Sequence, residues 1–144
     1  MRYKKGMVTS VKKDPLKIQS YFLLGTLVLQ YALGIFANMF VSFPDTKDEA
    51  ALWEFSKTQP PLLTHIILAF LLVIGGIVLL IRAIRRKDKN WIIASSVGLV
   101  GIVIASVGGA RFIPTQEDSY SYVMALAFIL AVFAYGWGLY KAKK

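Results

Sequence analysis

At 144 residues, 56% of them hydrophobic and only 17% charged, the chain lies well below the ~25% charged share of soluble domains. The absence of cysteine excludes disulfides, thiolate metal ligands and thiol redox chemistry. A net charge of +9 raises nucleic acid as a partner, but the placement of that charge has a membrane explanation, and no nucleic-acid role is expected.

Four stretches contain no Asp, Glu, Lys or Arg: Ile18 to Pro44, Thr58 to Ile81, Asn90 to Ala110 and Ser119 to Tyr140. Each exceeds the ~20 apolar residues a helix needs to cross a ~30 Å hydrocarbon core. A backbone in lipid must satisfy its own hydrogen bonds, so each is expected to be helical.

In chain order, residues 1–17 form a basic tail carrying Arg2, Lys4, Lys5, Lys12, Lys13 and Lys17, with Pro15 marking a break. Span 1 covers 18–43 and is closed by Pro44. Its apolar run is longer than the ~7–15 residues of a signal-peptide core, so it is expected to be retained. The loop 44–61 holds a short interfacial helix over Asp45 to Lys57, with Asp45 as its cap and Leu52 and Phe55 on one face.

Pro60 and Pro61 open span 2 (62–83), where Gly75 and Gly76 allow close packing. A short basic turn, 84–90, leads to Trp91, expected to anchor span 3 (91–110) at the interface. A loop over 111–118 precedes span 4 (119–140) and the tail 141–144. Gly101, Ala105 and Gly109 form a small-residue stripe on span 3, matched by Ala127, Ala131, Ala134 and Gly138 on span 4. Such stripes let helix backbones approach; they hold the bundle together or form a homodimer seam. Tyr120, Tyr122, Tyr135, Trp137 and Tyr140 read as an aromatic belt.

Fourteen of the 17 basic residues fall in the two tails and the 84–90 turn with its flanks, whereas six of the eight acids fall in the other two loops. Basic loops resist translocation. The expectation is an all-α, four-helix transmembrane bundle of two antiparallel hairpins, N-in and C-in, multi-pass in the plasma membrane. Its basic face would contact anionic lipid headgroups.

No span contains an interior acid or lysine, which argues against proton-coupled pumps and small multidrug transporters, since these rely on a buried carboxylate. Gln30, Gly34 and Asn38 share a face of span 1 at i, i+4, i+8. His65, the only histidine, lies about one turn into span 2. The topology gathers Asn38, His65, Arg111 and Tyr122 at one depth in the outer leaflet. These polar residues serve either as interhelical glue or as a haem site built on His65. One histidine cannot give bis-histidine ligation within one chain, so haem would need a dimer, Met39 or Met124 as a second ligand, or a five-coordinate iron. Zinc is disfavoured, because one imidazole falls short of its usual three or four ligands.

Leu29 to Pro44, Leu63 to Leu72, Gly108 to Phe112 and Ser119 to Met124 together resemble a group of four-helix bacterial membrane proteins without an assigned role. More distantly, a Gln-x-x-Leu-Gly helix followed by a helix with a histidine near its outer end resembles one four-helix half of haem A synthase, whose outer-end histidines ligate haem. By that resemblance His65 would be the haem ligand. Ile66 stands where that family commonly carries arginine, and Ser119 to Tyr122 stand where a second histidine would be expected. The function expected is a structural, assembly or partner-binding role in the membrane. The alternatives are a haem-associated redox or haem-modifying protein using His65, and a small-solute permease.

Overall fold

The computed structural model describes residues 14–142. The basic residues Arg2, Lys4, Lys5, Lys12, Lys13, Lys143 and Lys144 lie outside the described residues. Within them the chain forms five helices and no strand: α1 (Pro15–Phe40), α2 (Glu49–Thr58), α3 (Pro60–Arg85), α4 (Lys89–Thr115) and α5 (Asp118–Lys141). Four of these, α1, α3, α4 and α5, are long and apolar enough to cross a membrane. At 24 to 27 residues each is roughly 36–40 Å long, more than a ~30 Å hydrocarbon core requires.

The helix ends follow local chemistry. Pro15 is the first residue of α1 rather than a break before it, and Asp14 accepts a hydrogen bond from the Leu16 N–H at 3.1 Å. Proline suits this position because its missing N–H would be unsatisfied there anyway. At the other end α1 stops at Phe40, with Val41 as an extended cap whose N–H bonds to Ala37 O at 3.0 Å. The short helix α2 is capped by Asp48, not Asp45: Asp48 Oδ1 accepts from the Ala50 N–H at 2.9 Å. Thr46 Oγ1 accepts from the Asp48 N–H at 3.1 Å, holding the approach to the cap.

The turn between α3 and α4 is a Schellman motif. The Asp88 N–H bonds to Ala83 O at 3.3 Å and the Lys87 N–H to Ile84 O at 2.9 Å. Lys87 takes a left-handed conformation, φ 55°, which normally belongs to glycine. Lys87→Gly should therefore raise stability by about 1 kcal/mol, read as a higher melting temperature in detergent. An unchanged or lower value would contradict the turn geometry. Asp88 then caps α4, its Oδ1 accepting from the Asn90 and Trp91 N–H groups.

Helices α4 and α5 make the closest seam. A Cβ added at Gly98 would meet the Tyr135 ring, one at Gly101 the Ala127 and Ala131 backbone, one at Gly108 Met124 and Tyr120, and one at Gly138 Ala94 and Trp91. Contacts on α5 fall in residue number as those on α4 rise, so the two helices run in opposite senses. The buried α4 positions Ala94, Gly98, Gly101 and Gly108 recur at 4, 3 and 7 residues. That is a heptad-like seam, and Gly101 and Gly109 of the expected i, i+4, i+8 stripe lie on it as well, against Ala127 and Ala131 and against Met124.

Two aromatics expected at the interface are core residues instead. Trp91 is 1% exposed and Tyr135 is 0% exposed, because Gly138 and Gly98 leave the space their rings occupy. Tyr122, Trp137 and Tyr140 do face outward. The α2 helix also departs from a free interfacial helix. It packs on α3 and α4, with Leu52 and Ser56 buried one turn apart. Phe43 joins it to α4, with ring centroids 5.6 Å from Phe55 and 6.1 Å from Phe112.

Candidate functional site

The α1–α3 seam carries two amide-to-carbonyl hydrogen bonds between spanning helices. Gln19, Leu23, Leu27, Gln30 and Gly34 follow one another on α1 at steps of four, four, three and four, a single helical face. At one end of this face Gln30 Nε2 donates to the His65 carbonyl at 2.9 Å. The imidazole of His65 lies across Gly34, where an added Cβ would stand 3.2 Å from Cε1. Glycine at 34 is thus what admits the ring between the helices. His65 Nδ1 and Gln30 Oε1 are both buried and have no hydrogen-bond partner among the described residues. Such atoms are uncommon in folded proteins, because desolvation is left uncompensated.

The other sequence-derived candidates take different places. Asn38 is exposed near the end of α1. Arg111 is exposed on the last turns of α4, where its carbonyl accepts from Thr115 Oγ1 at 2.8 Å. Tyr122 is 71% exposed on α5. Among the described residues no hydrogen bond joins any of the three to His65. Met39 is exposed, and Met124 is seated against Gly108 and Gly109 on the α4–α5 seam. Among the described residues no group of three or more His, Cys, Asp and Glu side chains could hold a metal ion.

A second polar network lies at the opposite end of the same seam. Gln19 Nε2 donates to the Gly75 carbonyl at 2.8 Å, and Arg82 Nη1 donates to Gln19 Oε1 at 2.7 Å. Arg86 pairs with Asp14, the residue that caps α1. Gln19 was not among the candidate residues read from the sequence. The signal was its distance of eleven residues from Gln30, three helical turns, which puts both amides on one face.

No protein-family model, no curated protein and no solved structure matches this chain.

Proposed function

We propose that the chain is a multi-pass integral membrane protein of the cell membrane whose role is assembly with a membrane partner, a second copy of itself included. Its four long helices pair as two antiparallel hairpins with both ends in the cytoplasm. The observation that supports this reading best is the use made of polar side chains along α1 and α3. Gln19 and Gln30 donate to carbonyls on the opposing helix, and Arg82 and Arg86 reach back to α1. These groups tie helix to helix, as packing glue does in lipid.

Two measurements test it. The chain lacks cysteine, so single substitutions report sidedness directly. In intact cells Lys47→Cys should react with a membrane-impermeant maleimide, and Lys87→Cys only after permeabilisation. The reverse pattern would overturn the orientation. Extracted in mild detergent, the particle should hold more polypeptide than one 16.0 kDa chain after bound detergent is subtracted, and a single chain would overturn the assembly role.

The second reading is haem association through His65. Its support is the pair of partnerless polar atoms, His65 Nδ1 and Gln30 Oε1, between α1 and α3. A stoichiometric Soret band in the purified protein, lost in His65→Ala, would establish it. On the assembly reading the protein is colourless, and Gln30→Leu lowers stability by only about 0.6 kcal/mol, the average for an interhelical hydrogen bond in a membrane.

A further inference from the structure

We propose that the cleft between α1 and α3 binds one anionic glycerophospholipid of the cytoplasmic leaflet, its headgroup on Arg82 and one acyl chain along Phe22 and Leu71. The leaflet assignment rests on the orientation proposed above.

The cleft has a volume of about 290 Å³ and changes character along its length. Arg82 and Gln19 line one end, and the rest is apolar apart from Thr26, with Phe22, Leu71 and Val78 among its walls. Arg82 is tethered to Gln19, which is itself held by the Gly75 carbonyl. The guanidinium is therefore positioned before any ligand arrives, and among the described residues only one of its five N–H donors is engaged. Among the described residues Arg82 has no carboxylate partner, whereas Arg86 is paired with Asp14. An uncompensated, pre-positioned cation at the mouth of an apolar groove suits a phosphate carrying an acyl chain. Basic pockets between helices on the cytoplasmic side bind anionic headgroups in this way.

The dimensions agree. From Arg82 to Leu68, the far end of the lining, the groove runs fourteen residues, roughly 21 Å along the helix axis. One leaflet, half of a ~40–45 Å bilayer, is about as deep. The volume lies near the ~300 Å³ lower end of small-molecule sites. It suits a single acyl chain, leaving the second in the bulk bilayer. At the floor a Cβ on Gly75 would stand 2.8 Å from Leu23 Cδ2, so glycine there lets Leu23 close the base without shifting.

Native mass spectrometry of the full chain in detergent, with added phosphatidylglycerol or phosphatidylcholine, tests the site. One phosphatidylglycerol should be retained at concentrations where phosphatidylcholine is not. Arg82→Gln should weaken that retention about tenfold, while Arg85→Gln, equal in charge change but outside the lining, should not. Leu71→Trp should fill the groove and lower retention of both lipids, and Thr26→Trp does the same from the α1 side should the first variant fail to fold. Soluble glycerol phosphate should not displace the lipid. Equal retention of the two lipids by the unmodified chain would overturn the site, as would equal losses in Arg82→Gln and Arg85→Gln, or displacement by glycerol phosphate. Micelles have no sides, so this result is independent of the maleimide labelling. Selective retention together with labelling of Lys87→Cys from outside would overturn the leaflet assignment and the orientation. Failed retention with the expected labelling would overturn the cleft alone.

Discussion

Gly101→Ala should destabilise the bundle by about 1–3 kcal/mol, although alanine is the better helix former. The added methyl would stand 2.8 Å from the Ala127 carbonyl oxygen and 3.1 Å from the Ala131 nitrogen. Both are backbone atoms, so no rotamer change relieves the clash, and α4 and α5 must separate. Helices in lipid gain little from burying apolar surface against each other and depend on close packing, so separation forfeits most of what joins them. Gly25 and Gly136 provide the control, since a Cβ at either meets nothing within 4 Å. There the same substitution should be neutral or stabilising, by up to about 1 kcal/mol. Thermal or steric-trap unfolding in detergent compares the three. A Gly101→Ala protein as stable as Gly25→Ala would show that the seam is looser than described.

Tyr135→Ala should cost about 3–5 kcal/mol, the range for deleting a large buried aromatic, whereas Tyr135→Phe should cost nothing. The ring is fully buried and sits on Gly98, with its hydroxyl reaching toward Gly76 on α3. It therefore fills the space where α3, α4 and α5 meet. The hydroxyl is buried and has no hydrogen-bond partner among the described residues. Removing a polar atom that was desolvated without compensation loses no bond and relieves a penalty. A loss above about 1 kcal/mol in Tyr135→Phe, the usual worth of a hydrogen bond, would mean the hydroxyl has a partner and that the ring is not simply core.

The two residues most misplaced by sequence reading, Tyr135 and Trp91, show why the rest was harder to read. Both lie toward the end of a span that the basic clusters mark, which is where aromatic belts form. In a soluble protein their burial would follow from hydrophobic periodicity. In lipid, a residue facing the acyl chains and one facing a neighbouring helix can be equally apolar. The clue was in the partner helix: Gly98 and Gly138 are the slots that accept the rings. A glycine marks a slot only once its facing residue is known. The His65 region follows the same logic. Spacing alone put Gln30 and Gly34 on one face of the first span and His65 near one end of the second. That the amide meets the His65 carbonyl, and that Gly34 admits the ring, required both helices in place.

What the residues determined unaided was the count and apolar character of the four long helices. That information is local: a run without charges is visible one residue at a time, and caps such as Asp88 act within a single turn. Only the tertiary structure decided which face of each helix turns inward. It docked α2 on α3 and α4, brought Gln19 to Arg82, and set the α4–α5 register at alternating threes and fours. Those choices depend on shape matched between segments far apart in the chain. In a medium as apolar as the side chains themselves, hydropathy carries no record of them.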